Sequence, residues 1–300
     1  MTKMYHNPVL LEACLEGLAL KESGTYVDVT FGGGGHTKAI LDLIGSDGKV
    51  IAFDQDEDTI ENSWQDERLI FIHQNFTYLQ PFLRFNNIEK VDGILADLGV
   101  SSHQIDTPTR GFSTRFDGPL DMRMSSSEGT SAKDVIYNYT KEQLSDIFYQ
   151  YGELTNARKI ASRIVECREK KPIETTLELA DLLRPLVPLK TQHKVLAQIF
   201  QALRIEVNQE LEALKSLLEQ SAEVLNHNGR LCVISYHSLE DRLVKRFIQH
   251  GCFENEPEKD EFGRSYKPLK KVGNMKLPTG IEIENNKRAR SAKLRIAEKI

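Results

Sequence analysis

Four consecutive glycines, residues 32–35, separate an alternating, β-branched run from a segment with helical apolar spacing. The run at 26–31 predicts a strand, and the segment at 37–44 predicts a helix. Glycines permit a tight turn and a close approach of the backbone to a ligand, because no Cβ obstructs either. The amide groups that open the helix can hold polar or anionic atoms. The pattern therefore predicts a ligand-binding strand–turn–helix unit, with a turn that binds nothing as the alternative.

A second predicted strand, residues 49–54, ends in Asp54. This acid lies at about the offset where a Rossmann-type site places the carboxylate that binds ribose hydroxyls. The dinucleotide fingerprint is incomplete, because Thr37, or Lys38 in the offset frame, replaces its third glycine. The sequence also lacks the G-x-x-x-x-G-K-[ST] pattern of a P-loop. These features predict a nucleoside cofactor at the carboxyl edge of a parallel sheet.

Strands and helices alternate through the first hundred residues. Strand-like runs at 26–31, 49–54, 69–72 and 91–98 enclose helical patterns near 37–44, 57–64 and 77–85. This alternation predicts an α/β fold with a parallel, doubly wound sheet. Residues 131–224 are mainly helical in pattern, and strand patterns return at 230–236 and 292–297. The return predicts that the helical stretch is an insertion into the α/β domain.

The segment at 101–129 is rich in serine, threonine, proline, glycine and aspartate and lacks clear periodicity. Long loops in compact domains are usually functional. Its part from 106 to 124 mixes arginines with aromatic residues, which suit a phosphate and an unstacked base. We therefore favour contact with a nucleic-acid substrate over an Ω-loop held by its own salt bridges.

Basic residues cluster near the C-terminus, although the net charge of the chain is −5. Residues 262–281 include Arg264, Lys271 and Lys276 without any acid, and residues 287–299 contain a second basic tract. Such tracts suit contact with RNA phosphates. A solvated, charged tail is the alternative.

Composition excludes several classes of protein. A chain that is 40% hydrophobic and 28% charged is an ordinary globular protein. No apolar stretch is long enough to span a bilayer, and the N-terminus lacks an apolar signal core, so we expect a cytoplasmic location. No two of the four cysteines share a C-x-x-C spacing, which predicts isolated thiols and no metal site.

Candidate functional side chains follow the other predicted strands. Asp97 ends the fourth strand, where it could contact a cofactor or an acceptor nitrogen, or cap the next turn. Phe76 follows the third strand and could pack on an adenine or in the core. His237 follows a later strand with a pKa suited to proton handling, and a structural role is its alternative. Ser238 is a candidate helix N-cap, with Asp241 at the capping-box position.

Seven motifs together resemble a known family. They are residues 7–11, 30–36, 97–102, 111–113, 118–124, 200–208 and 235–242. In these motifs and their order the chain resembles the MraW/RsmH family, bacterial 16S ribosomal RNA cytosine-N4 methyltransferases, from residue 4 almost to residue 300.

The resemblance implies a class I, Rossmann-like fold for methyl transfer from S-adenosylmethionine, with an inserted all-helical domain. Residues 1–104 and 205–300 would form the methyltransferase domain, and residues 105–204 the inserted loop and helical substrate-recognition domain. The substrate would be the exocyclic N4 of the cytidine at position 1402 of 16S rRNA, near the P-site of the small (30S) ribosomal subunit. No membrane partner is implied, and the oligomeric state, a homodimer included, stays open.

The resemblance also implies a set of cofactor-binding residues. These are Gly34, Gly35, His36, Asp54, Phe76, Asp97 and Gln104. The turn at residues 34–36 would line the methionine and ribose, Asp54 would hold the ribose hydroxyls, and Phe76 would contact the adenine. Asp97 and Gln104 would complete the polar edge.

The weak nucleophilicity of N4 shapes the expected catalysis. Its lone pair is delocalised into the ring, so positioning opposite the methyl would contribute most. Asp97 could accept an amino hydrogen, and His237 is a second catalytic candidate. Two departures leave this assignment open: Thr30 stands where many class I enzymes carry an acid, and no Pro-Pro-Tyr/Phe tetrad follows the fourth strand.

Two rival functions fit parts of the sequence. A nicotinamide oxidoreductase would share the strand–turn–helix unit, but the missing third glycine counts against it. A ribosome-assembly factor that only binds RNA would not need the acid-ended strands of a cofactor site.

Overall fold

The structure is a computed structural model that describes residues 8–254, 261 and 267–300. Asn7 of the first motif and Arg264 of the basic tract lie outside the described residues. The chain divides into two compact units, Met1–Gly99 with Leu211–Ile300, and Val100–Glu210. These boundaries lie a few residues outside the expected ones, which were 104/105 and 204/205.

Seven strands of the described chain form one sheet in the first unit. They are β1 Thr25–Asp28, β2 Lys49–Asp54, β3 Leu69–His73, β4 Val91–Asp97, β5 Leu225–Ser235, β6 Leu269–Lys276 and β7 Lys293–Lys299. Their order is β3-β2-β1-β4-β5-β7-β6. The first five strands are parallel, and β7 pairs antiparallel with both β5 and β6. The predicted doubly wound α/β sheet is confirmed.

The α-helices connect strands of the sheet and make up most of the second unit. In chain order they are α1 Leu11–Leu18, α2 Gly35–Leu41, α3 Leu79–Phe85, α4 Ser102–Asp106, α5 Ala132–Asn138, α6 Lys141–Gln150, α7 Ala157–Arg168, α8 Thr176–Leu183, α9 Gln192–Asn208, α10 Glu210–Val224, α11 Ser238–His250 and α12 Gly280–Asn285. Within the described residues, none of them combines the length and the apolar character that a membrane span requires.

Apolar side chains cover both faces of the sheet. Val27 is fully buried in a core with residues of α3, α10 and α11, whereas its neighbour Tyr26 is fully buried in a core with α1 and α2. Parallel strands buried on both faces are apolar throughout, and a one-residue slip would exchange the two faces. The register is therefore firmly set, and the carboxyl ends of β1, β2, β4 and β5 lie at one edge.

The second unit has its own apolar core, built mainly from α5 to α9. Phe148 and Ile160 are fully buried there, and so are Leu120 and Met122 of the preceding loop. The segment predicted to lack periodicity is thus partly a core element. It also contains the short helix α4, which the sequence pattern did not indicate.

Internal contacts hold much of that loop. The buried Arg110 donates to the carbonyl oxygens of Arg123 (3.1 Å) and Met124 (2.8 Å), and Arg123 pairs with Asp121 at 2.7 Å. The alternative interpretation, a loop held by its own contacts, therefore describes the part of the loop around Arg110 and Arg123 well. The tip at residues 115–117 remains exposed.

The basic C-terminal tracts contribute two strands. Residues 269–276 form the edge strand β6, and residues 293–299 form β7. Lys270 pairs with Glu298 at 2.6 Å, and Arg295 pairs with Asp241 at 2.7 Å. These parts of the tracts consequently belong to the sheet and not to a solvated tail.

Candidate active site

The turn after β1 is tied to the helix that follows it through Asp28. One oxygen of this buried carboxylate accepts the Thr37 hydroxyl at 2.7 Å, and the other accepts the Thr30 backbone N–H at 3.1 Å. β1 ends at Asp28, three residues earlier than the predicted end, because the chain turns there. Asp28 is therefore engaged in shaping the turn.

The glycines of the turn are required by close packing. Gly34 has a φ of 74°, and a Cβ there would lie 2.5 Å from the ring of Trp64. A Cβ on Gly35 would lie 2.4 Å from Pro8. The side-chain positions of both glycines face the protein, so that a ligand would meet their backbone. Their contact with a cofactor stays a prediction.

Asp54 is in direct contact with the glycine turn. This agrees with the prediction that both lie at the carboxyl edge of the sheet. The Asp54 carboxylate accepts the backbone N–H of Gly32 at 2.7 Å and that of Asp56 at 2.9 Å. Burial raises the pKa of Asp54 to about 6, and these two N–H groups oppose the rise. Each carboxylate oxygen has further lone pairs, so the group can still accept hydroxyl hydrogens.

Asp97 ends β4 and is held by groups from three other segments. Its backbone N–H donates to the Thr30 hydroxyl oxygen at 2.7 Å, and its Oδ1 accepts the Tyr236 hydroxyl at 2.8 Å. Its Oδ2 lies 4.0 Å from Nδ1 of His36. The side chain is 22% exposed, so a ligand can reach it.

The same surroundings set the protonation of Asp97. Burial raises the pKa of Asp97 to about 6, while the nearby His36 and the Tyr236 hydroxyl act in the opposite direction. His36 is buried, and its Nε2 lies 3.1 Å from the carbonyl oxygen of Val9. The carboxylate form of Asp97 therefore predominates near neutral pH.

Tyr236 is the site residue to which the sequence assigned no role. Its position at a strand end, beside His237, was the only available signal. The hydroxyl contact with Asp97 joins residues 139 positions apart, which no local pattern reveals.

His237 caps α11, and the prediction that Ser238 would do so is wrong. The Glu240 backbone N–H lies 3.5 Å from Nδ1 of His237, and Glu240 Oε2 accepts the His237 backbone N–H at 3.2 Å. Ser238 is the first helical residue. Glutamate closes the box because its longer side chain reaches back to the cap, whereas Asp241 pairs with Arg295. The catalytic role of His237 stays a prediction beside this structural one.

Phe76 opens a short 3₁₀ turn that begins after the two residues following β3. It is half-buried and packs against the apolar core. The preceding Asn75 donates to Oε1 of Gln55 at 2.7 Å, which links this turn to the residue after Asp54. Phe76 thus lies in the loops at the carboxyl edge, and its contact with adenine stays a prediction.

Gln104 belongs to the second unit, within α4. Its side-chain oxygen accepts the Ser101 backbone N–H at 3.0 Å, and the Gln104 backbone N–H donates to the Ser101 hydroxyl oxygen at 3.1 Å. This reciprocal capping box fixes the side chain. Its contact with the cofactor stays a prediction.

Sequence relatives identify the family. The family model for the MraW methylase family matches residues 3–300. Two curated relatives, both called ribosomal RNA small subunit methyltransferase H, are 57% identical in Flavobacterium johnsoniae and 58% identical in Flavobacterium psychrophilum. The first alignment covers 100% of this chain and 99% of the relative, the second 97% and 100%. Among solved structures, an rRNA methylase from Streptococcus thermophilus aligns over 100% of this chain and 99% of its own, with 13% identity and a TM-score of 0.42.

The residues at the carboxyl edge suit the chemistry of S-adenosylmethionine. Carboxylates such as Asp54 accept ribose hydroxyl hydrogens, and negative charge at Asp54 and Asp97 favours a ligand with a cationic sulfonium and ammonium. A Cβ on Gly32 would have no neighbour nearer than 4.0 Å, so the turn is open on that side. The chain belongs to the MraW methylase family, with a Rossmann-like methyltransferase sheet and S-adenosylmethionine as its cofactor.

Proposed function

We propose that this protein methylates the exocyclic N4 of the cytidine at position 1402 of 16S rRNA, within the small ribosomal subunit and near its P-site. The names of the curated relatives support an rRNA substrate in the small subunit. The motif resemblance supports the N4 atom and its position. Such a substrate would place the enzyme with ribosomes in the cytoplasm.

The Asp97 carboxylate is the observation that carries this proposal. When bound, the cofactor supplies an electrophilic methyl group on a sulfonium. Asp97 lies at the carboxyl end of β4 with Oδ1 engaged by Tyr236, so Oδ2 would accept one N–H of the cytosine amino group. That hydrogen bond would raise the electron density on N4 and aim its lone pair. The target base must be unpaired before N4 becomes accessible.

Asp97 is a better candidate for this role than His237. His237 caps α11 through Nδ1, which lies 3.5 Å from the Glu240 backbone N–H, whereas its Nε2 lies 3.2 Å from Glu240 Oε1 without a hydrogen bond. We propose that Asp54 holds the ribose hydroxyls and that the turn from Gly34 to His36 lines the methionine and ribose. Phe76 would complete the cofactor site within the first unit, and the role of Gln104 in the second unit stays a prediction.

Methyl transfer to purified ribosomal particles tests the function. Labelled S-adenosylmethionine would be incubated with the protein and small subunits that lack the modification, and in parallel with large subunits and with free 16S rRNA. We expect label in the small subunit and none in the large one. Binding to small subunits without transfer would favour a pure assembly factor, and tighter binding of a nicotinamide dinucleotide than of S-adenosylmethionine would favour an oxidoreductase.

We propose that the exposed loop tip in the second unit contacts an unstacked RNA base. Phe116 is 46% exposed beside Arg115, and its carbonyl oxygen accepts the Thr176 hydroxyl at 2.9 Å. The backbone under the aromatic ring is therefore anchored. An anchored aromatic beside a cation suits base stacking.

The Phe116→Ala variant should raise KM for small subunits by roughly fivefold to 150-fold, since stacking on an aromatic contributes about 1–3 kcal/mol per base. Steady-state kinetics with a parallel cofactor titration measure this. Tyr149→Ala is the matched control, because Tyr149 is a 67% exposed aromatic of the same unit. Equal KM values for the two variants would contradict contact at the tip.

The edge strand β6 is the second candidate RNA contact. Lys276 of β6 pairs with Leu294 of β7. The neighbouring Lys293 pairs with Ser235 at the end of β5, so Lys276 lies near the end of that strand. Lys276 is exposed and lies at the carboxyl edge of the sheet, the edge that carries Asp97. We propose that it contacts an RNA phosphate.

The Lys276→Ala variant should reduce the slope of log affinity against log salt by about 0.7–0.9, the contribution of one phosphate contact. Equilibrium binding of small subunits at several salt concentrations measures the slope. Lys49→Ala is the control, because Lys49 is exposed at the start of β2, on the opposite edge. A slope unchanged from the wild type in Lys276→Ala would refute this contact.

A further inference from the structure

We propose that Tyr236 is a positioning residue for methyl transfer, which holds Oδ1 of Asp97 so that Oδ2 is left to receive the acceptor amine. This inference rests on the proposed function of Asp97. It adds a residue that acts through the carboxylate.

The sheet register brings Tyr236 to Asp97. β4 and β5 are parallel neighbours in which Asp97 pairs with Ile234, and Tyr236 is the first residue after β5. Its hydroxyl donates to Oδ1 of Asp97 at 2.8 Å. The Asp97 backbone is fixed independently, since its N–H donates to Thr30 at 2.7 Å. Backbone and side chain of Asp97 are thus held from two different neighbouring segments.

Tyr236 is itself held in place. Its backbone N–H donates at 2.8 Å to Oε2 of Glu240, which is buried at the start of α11. Its ring lies 3.7 Å from the position that a Cβ on Gly99 would occupy, and it packs against the core shared with α1 and α2. Burial raises the pKa of Tyr236 above its ordinary value, so the hydroxyl remains a donor throughout the neutral range.

Other ionisable groups face Asp97 from several elements. His36 of α2 approaches Oδ2 at 4.0 Å and favours the carboxylate, whereas Asp28 of β1 and Glu240 of α11 disfavour it. The Tyr236 hydroxyl favours the charged form because it donates to it. Loss of that hydroxyl should therefore raise the pKa of Asp97 and free the carboxylate to rotate.

The Tyr236→Phe variant removes the donor and keeps the ring. The midpoint of the acidic limb of its kcat–pH profile should shift to higher pH by about one unit, because a hydrogen bond to the charged form no longer lowers the pKa of Asp97. kcat should consequently fall more at pH 6 than at pH 8, with the KM for small subunits unchanged. An acidic limb at the wild-type position would overturn the proposal, whatever the level of activity.

A second measurement does not depend on methyl transfer. The carboxyl carbon of Asp97 would be titrated by NMR in the wild type and in Tyr236→Phe, and its midpoint should rise in the variant. An unchanged midpoint contradicts the inference even if the wild type is an active methyltransferase. A raised midpoint with no methylation by either protein would leave the contact established and refute the proposed function instead.

Tyr26→Phe is the matched control. Tyr26 is a buried tyrosine of the same unit, and its hydroxyl oxygen accepts the Lys21 backbone N–H at 2.6 Å. We expect this variant to have a lower Tm and an unshifted acidic limb. An equal shift in both variants would mean that the effect is a general loss of packing, which contradicts a positioning role for Tyr236.

Discussion

Replacing Asp97 by alanine is expected to lower kcat for methyl transfer by about 10²–10⁴-fold, the usual contribution of a positioned acid–base group. The carboxylate is the acceptor that we place against the amino group of cytosine, and its removal leaves N4 without a partner. Single-turnover kinetics with small subunits measure the chemical step. Asp97→Asn, which keeps the volume but removes the charge, should lose most of the same activity.

Activity should also depend on the charge of Asp97. Because burial raises its pKa to about 6, the carboxylate form is lost as the pH falls through that value. The wild-type kcat should therefore rise with pH up to about 7 and then level off. A profile that is flat between about pH 5 and 8 would contradict the assigned role.

Asp92→Asn provides the control for the Asp97 variants. Asp92 belongs to the same strand but lies at its opposite end, where it accepts from Lys21 at 2.8 Å and from the Thr25 backbone N–H at 3.1 Å. Its loss should lower stability and leave kcat normal. Near-normal transfer by a folded Asp97→Ala variant would refute the mechanism.

The Asp54→Ala variant is expected to weaken S-adenosylmethionine binding by roughly 10-fold to 150-fold, since a hydrogen bond to a charged group contributes about 1.5–3 kcal/mol. The variant loses the acceptor that we propose for the ribose hydroxyls, and it also releases the N–H of Gly32, which Asp54 holds at 2.7 Å. Calorimetric titration with the cofactor measures the change.

The affinity of the wild type for S-adenosylmethionine should fall as the pH is lowered, for a related reason. The pKa of Asp54 is raised to about 6, so protonation below that value removes a negative charge from the site. Asp66→Ala is the control, because Asp66 pairs with Arg68 just before β3 and away from the carboxyl edge. Equal losses of affinity in the Asp54 and Asp66 variants would contradict the assignment.

Periodicity predicted the parallel part of the sheet well. The predicted and observed bounds of β2 coincide at Lys49–Asp54, because a strand buried on both faces is a continuous apolar run between turn residues. A search for apolar runs misses β6, because this exposed edge strand contains lysines and a glycine. Edge strands often carry lysines, which discourage pairing with other chains, and such a segment resembles a charged tail in sequence.

The site was predictable in its parts but not in its connections. Strand ends and glycines predicted that the turn and Asp54 lie together, and their direct contact confirms it. Sequence did not indicate that Asp28 shapes the turn, because the predicted strand continues through it to residue 31. Nor could it connect Asp97 with Tyr236, because that contact depends on the register between β4 and β5.

The identity of the methylated nucleoside tests the central claim most directly. Small subunits lacking the modification would be incubated with the protein and S-adenosylmethionine, and their 16S rRNA would then be digested and analysed by mass spectrometry with standards for each methylcytidine. We predict N4-methylcytidine, located at position 1402 in the fragment map. A methyl group on carbon 5 of a cytidine, on the ribose or at another position would contradict the proposed function.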